Sequence, residues 1–202
     1  MSGSTMLRRR MTPPRPTADS PCPVERGSGV HRPRPSISAG TTRLAHLLPH
    51  ARLGAGVFCS ALVLAVVGAL ADRPLLIAPL VATAALKHAA PHDPGVAPRR
   101  VMLGHLVGAA VGVGVGALLG AGPVCVALAA AGAAVAMRTL DVLHAPAVAT
   151  AFVAVQQHAD HWFPLQVALA GAAVLVATTV VLTPLLHGHR YPVRPVLTGG
   201  AA

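Results

Sequence analysis

One short pattern occurs twice in the chain. Ala78-Pro79-Leu80-Val81-Ala82-Thr83-Ala84 returns as Ala145-Pro146-Ala147-Val148-Ala149-Thr150-Ala151, differing only at Leu80 against Ala147. The proline in each copy suits the first turn of a helix, where its missing N–H costs nothing. A helix that starts inside a bilayer leaves free N–H groups there, carrying partial positive charge. Thr83 and Thr150 follow one turn deeper on the same face. Proline, helix start and hydroxyl together could hold a small anion, so Pro79, Thr83, Pro146 and Thr150 are candidate substrate-binding residues. The plainer alternative is a pair of short packed helices whose threonines bond to their own backbone. His105 stands in an apolar stretch, and His144 directly precedes the second copy. An ionisable group in an apolar span is costly and marks a function or a cap. Both histidines are candidate proton-linked partners of the solute.

These residues are carried by six apolar runs, at 53–71, 74–90, 101–120, 121–137, 143–157 and 165–186. Apolar residues make up 53% of the chain and charged ones 11%, against about 25% charged in an ordinary soluble domain. Aromatic residues are scarce, with one Trp, one Tyr and three Phe. Ala and Gly take their place, as in helices that approach closely within lipid. The predicted fold is an all-α polytopic membrane bundle. Runs one, three, four and six approach the ~20 residues that cross a bilayer core. Runs two and five are shorter and contain Pro. Gly104, Gly108, Gly112, Gly116 and Gly120 recur at every fourth position and predict a bare stripe for close helix packing, suited also to dimerisation. A second match, Gly108-Ala109-Ala110-Val111 with Gly171-Ala172-Ala173-Val174, predicts two three-helix halves in inverted order.

Charge sets the expected topology. The formal net charge is +10. Nine of the sixteen Lys and Arg lie between Arg8 and Arg52, in a stretch rich in Pro, Ser and Thr. Residues 1–50 are therefore expected to be a disordered basic tail, 51–192 the membrane domain and 193–202 a flexible end. The tail has neither aromatic interleaving nor a recognised module, so no nucleic-acid partner is expected. Its prolines disfavour the amphipathic helix of an organelle transit peptide. If all six runs cross, every basic residue except Arg73 falls on the side of the tail, as the positive-inside rule requires. Both termini are then cytoplasmic, in a plasma or inner membrane rather than an organelle membrane. Arg99 and Arg100 read as topology charges. Arg138 is expected to pair with Asp141 one turn on. The alternative gives Arg138, with Arg99, a role in attracting anions to the inner mouth.

Other chemistry finds little support. His158, Asp160 and His161 have metal-ligating side chains, but they sit in a short loop beside Trp162, an interface anchor, and no metal is expected. Cys22, Cys59 and Cys125 are far apart and form no metal-type or redox-type pair. No nucleophile or paired carboxylate suggests catalysis, so neither an enzyme nor a cofactor is expected.

Several motifs in order resemble the HPP family of integral membrane proteins. They are Ala90-Pro91-His92-Asp93-Pro94, Pro98-Arg99, Gly104-His105, His144-Ala145-Pro146 with Ala149-Thr150-Ala151, and Arg190-Tyr191-Pro192. The name motif is His-Pro-Pro; here its middle residue is Ala145, and Ala147-Val148 replaces a glycine pair. The resemblance spans about residues 53–192. It implies a multi-pass membrane protein, and relatives in chloroplasts and cyanobacteria are linked to nitrite transport. The expected function is passage of a small inorganic anion such as nitrite through a bilayer-embedded homo-oligomer. The alternatives are a non-transporting scaffold or sensor partner, whose basic tail engages anionic lipid, and, last, a membrane enzyme.

Overall fold

The computed structural model describes residues 39–188 and Tyr191, with side chains from residue 46 onward. The expected tail up to residue 38 and the expected flexible end fall outside these residues. Among the described residues there are six α-helices: α1 (Ala39–Leu70), α2 (Ala78–Ala89), α3 (Pro98–Leu119), α4 (Pro123–Thr139), α5 (Ala145–Gln156) and α6 (Ala170–His187). The described residues contain no strand, so the all-α expectation holds. Prolines explain many of the helix starts. Pro79, Pro98, Pro123 and Pro146 each stand in a first turn, where a fixed φ is already helical. Pro164 likewise opens a π-wound turn, Pro164–Leu169, that runs directly into α6.

Some boundaries differ from the sequence reading. α1 begins at Ala39, inside the stretch expected to be tail; a helix already nucleated by the apolar run extends at little further cost. α4 has 17 residues, shorter than a full span, and α2 and α5 have 12 each. Three helical stretches have the length and apolarity of a membrane span: His46–Leu70, Pro98–Leu119 and Pro164–His187. A non-helical lead-in precedes each 12-residue helix, over residues 74–77 and 142–144, and ends on an extended residue, Ile77 or His144. A 12-residue helix rises about 18 Å, well short of the ~30 Å thickness of a bilayer core.

The turns before the two lead-ins are built alike. Arg73 N–H donates to Gly68 O at 2.8 Å and Val142 N–H to Met137 O at 2.9 Å, closing the ends of α1 and α4. Inside these turns Asp72 and Asp141 adopt left-handed φ values of 50° and 52°, a region that Asp tolerates better than most residues.

α3 is the centre of the bundle, packed on α4, α5 and α6. Gly104, Gly108 and Gly112 are buried against α5. A Cβ at Gly108 would collide with the Ala147 carbonyl, and one at Gly112 would lie 2.5 Å from the Ala151 carbonyl. The stripe is thus used within the chain rather than offered to a second copy along that length. Gly116 has looser surroundings, and Gly120 does not pack at all. Gly120 ends α3 at φ 81° with open space around it, a conformation that favours glycine.

Size is distributed inside out. Ala109, Ala129, Ala133, Ala147 and Ala151 are fully buried, whereas Leu70, Leu118, Val124 and Leu185 are more than 70% exposed. Small residues permit close helix contact, and large apolar ones face outward, as expected of a surface solvated by hydrocarbon. Gly108→Ala should therefore lower the thermal stability of the detergent-solubilised protein by about 1–3 kcal/mol. Gly114→Ala, with open space at its Cβ, should be neutral or stabilising by up to about 1 kcal/mol. Equal effects at the two positions would refute the packing assignment.

Candidate functional site

The two threonines of the repeated pattern are joined by one imidazole. His105, on α3, lies between them: its Nε2 is 2.9 Å from Thr83 Oγ1 and its Nδ1 2.7 Å from Thr150 Oγ1. Thr83 Oγ1 is also 2.9 Å from His144 Nε2 and 2.9 Å from the Pro79 carbonyl. His144 Nδ1 is 2.9 Å from the Gly95 carbonyl. The two rings meet edge to face at 5.4 Å. Thr83, His105, His144 and Thr150 are at most 1% exposed. A continuous polar row therefore runs through the interior, from α5 through α3 and α2 to the start of α5.

Proton counting gives this row a direction. A carbonyl only accepts, so His144 Nδ1 carries a proton and donates to Gly95 O. A neutral His144 then has a bare Nε2 that must accept from the Thr83 hydroxyl. Thr83 has one proton, so it accepts from His105 Nε2–H, and His105 Nδ1 accepts from Thr150 O–H. A second proton on His144 changes this. Its Nε2–H then donates to Thr83, which is free to turn to Pro79 O or to donate to His105 Nε2. In the latter setting the row between Thr83 and Thr150 reverses. The row thus has the two settings that a proton relay requires.

The turn between α2 and α3 is clamped from two sides. Asp93 Oδ1 accepts from Gly95 N–H at 2.6 Å and shapes the turn. His144 donates to the Gly95 carbonyl, and the Tyr191 hydroxyl donates to the neighbouring Val96 carbonyl. Burial pushes the Tyr191 phenol above its ordinary ionisation range. Motifs far apart in the chain, around Asp93, His105, His144 and Tyr191, therefore assemble into one cluster.

Other sequence candidates fall elsewhere. Pro79 is buried and supplies the carbonyl below Thr83. Pro146 is half-buried, and with Ala145 it lines an outer apolar groove beside Ala82, Ala85, Leu86 and Ala89. The start of α5 thus lies against the second half of α2. The two helix starts do not converge on one point, because the helices lie alongside each other; their threonines converge instead. Arg99 and Arg138 are exposed. Asp141 pairs with Arg100 at 3.0 Å, not with Arg138, because its left-handed turn ends the helix that an i,i+3 pair would need. Asp160 accepts from Trp162 and Phe163 N–H at 3.1 and 3.0 Å. Among the described residues no group of three His, Cys, Asp or Glu is placed to hold a metal.

Two interior residues escaped the sequence reading. Lys87 was expected among the inner-face charges, yet it is 1% exposed. The available signal was its spacing of four from Thr83, which puts it on the same helix stripe. His88, 4% exposed, faces α1: its Nε2 is 3.2 Å from Ser60 Oγ, and its ring stacks on His187.

The family profile for the HPP transmembrane region matches residues 43–192. The chain belongs to the HPP family. The match takes in the whole cluster, from the Asp93 turn to Tyr191. Comparison with curated proteins gave no match, and comparison with solved structures gave none.

Thr83→Val should destabilise this HPP protein more than Thr179→Val. The first strands two imidazole nitrogens, at about 1–3 kcal/mol for a buried polar group left unsatisfied. The second removes one bond to Leu175 O, worth about 1 kcal/mol. Unfolding of the two variants in detergent measures the difference, and equal losses would count against the shared hydroxyl. Tyr191 is the chain's only tyrosine, so absorbance titration reports it alone. With its pKa raised on folding, its stabilisation is complete below about pH 10 and is lost as pH rises above that. No tyrosinate signal is expected at about pH 11 while the protein stays folded. A transition near the ordinary value would show the phenol to be solvated.

Proposed function

We propose that this HPP-family membrane protein passes a small monovalent inorganic anion, with nitrite the first candidate, in a proton-linked manner. The observation that carries this reading is the buried row Thr150–His105–Thr83–His144, which contains no carboxylate; Asp93, whose charge reaches His144, sits exposed in the turn before α3. The acidic residues among those described, Asp72, Asp93, Asp141 and Asp160, are all exposed. The interior polar groups are hydroxyls, imidazoles and one amine. These donate to an anion and, when protonated, attract it; a cation would find no counter-charge. Two proton arrangements of one row provide a physical link between proton movement and the solute.

The row is closed to solvent in this conformation, so passage requires the helices around Thr83 and Thr150 to part. The repeated seven-residue pattern and the matching turns at Asp72 and Asp141 favour two related halves. The odd number of helices in each half would set them in opposite orientations. Six crossings with both termini cytoplasmic, in a plasma or inner membrane, remain the arrangement that the basic residues favour. The glycine stripe is occupied within the chain along α3 at Gly104, Gly108 and Gly112, so a homo-oligomer would use another face.

Purified protein in proteoliposomes should show uptake of nitrite that increases when a proton gradient is imposed in the same direction. Nitrate and formate serve as competing solutes. The double variant Thr83→Val/Thr150→Val should reduce uptake by at least about tenfold, the effect of about 1.4 kcal/mol on a rate-limiting step. Uptake unchanged in the double variant would remove the site assignment. Absence of uptake of all three anions by the wild type would leave the scaffold reading.

A further inference from the structure

Lys87 follows Thr83 by one turn on the buried face of α2 that begins at Pro79. Its side chain is 1% exposed, and its Nζ has no hydrogen-bond partner. Among the described residues the acidic side chains are all exposed, and the ion pair they form is Arg100–Asp141 at the bundle surface. The face of the Tyr191 ring lies against the Lys87 amine, its centroid 4.5 Å from Nζ. That ring is fixed by its hydroxyl bond to the Val96 carbonyl. Among the described residues, His88 on α2, His105 on α3 and His144 at the start of α5 lie within electrostatic reach of Lys87. None of these offers a negative charge.

Such a site is chemically incomplete. An ammonium has three protons to donate and nothing to accept them here. Burying it without a partner opposes folding strongly, and a ring face offsets only part of that penalty. A divalent cation is excluded by the amine and by the lack of oxygen anions. A small anion would supply both the missing charge and the missing acceptors. A flexible four-carbon stem lets the ammonium adjust to its ion. Thr83 places a hydroxyl one turn away, and that hydroxyl is already part of the proton row.

We infer that Lys87 is the anion-holding group of this protein: its ammonium binds one small monovalent inorganic anion, with Tyr191 closing one side and Thr83 marking the next turn. The choice of nitrite as probe rests on the function proposed above. The binding site rests on the buried, unpartnered amine. A bound anion and the charged lysine form a neutral pair, which is the least costly way to carry a charge through this interior.

The test measures binding, so it is separate from flux. The full chain in detergent is melted against increasing sodium nitrite, with sodium gluconate holding ionic strength constant. Wild type should show a saturable rise in Tm with nitrite, because a ligand bound only to the folded state stabilises it. Lys87→Met should melt higher than wild type without nitrite and should lose the nitrite response. Lys87→Arg, which keeps the charge, should retain a nitrite response. A nitrite response undiminished in Lys87→Met would overturn the inference. So would a Lys87→Met protein that melts lower than wild type without nitrite, since that is the mark of a structural lysine. Should Lys87→Met fail to fold, the same conclusion follows, and Lys87→Gln checks it by the same two readings. Binding that depends on Lys87 without any flux would sink the transport reading and leave this site standing. Flux without Lys87-dependent binding would do the reverse.

Discussion

A hydroxyl has one proton and two lone pairs, and the interior of this bundle depends on how Thr83 uses them. Three groups from three places in the chain reach its Oγ1: the Pro79 carbonyl and the Nε2 atoms of His105 and His144. In an interior of low dielectric, each of these would be costly if left alone. Their common solution fixes α2, α3 and the start of α5 relative to one another. It also fixes the turn before α3, since the other nitrogen of His144 holds the Gly95 carbonyl. The polar row is thus a structural joint.

The joint requires helices that approach very closely. Gly104, Gly108 and Gly112 remove the side chains that would separate α3 from α5, and buried alanines do the same along α4 and α5. With the backbones close, short side chains such as Thr83 and Thr150 can reach the same ring. Larger residues at the glycines would widen the gap, and the row would lose its hydrogen bonds before the helices lost their contact. The small-residue composition, the outward-facing leucines and the buried row are therefore parts of one arrangement. Hydrocarbon outside does not compete for hydrogen bonds, so the polar groups must satisfy one another within.

The acidic residues are as informative as the basic ones. Asp72 and Asp141 make left-handed turns, Asp93 shapes the turn before α3, and Asp160 caps the turn after α5. All lie at the surface, and Asp141 also pairs with Arg100. Among the described residues the buried ionisable side chains are then histidines, Tyr191 and Lys87, and the Lys87 amine has no hydrogen-bond partner. This division of charge types is what supports the anion reading proposed above.

Much of this was legible in the amino-acid sequence. The six helices follow from apolar runs and from prolines that open them, because first-turn geometry is local. The repeated proline and threonine, the two histidines and the family resemblance also came from residue type and spacing. Other features depend on which segments meet, and spacing along one chain does not report that. The partner of Asp141 was Arg100, forty-one residues away, rather than its neighbour. The glycine stripe met α5 within the chain. Lys87 read as a charge at a span end, because its position in sequence is near one; the packing of α2 on α1, α5 and α6, with Tyr191 alongside, buried it. Local chemistry fixes helix, turn and face, whereas the identity of a buried group's partners is settled only when separate helices close around it.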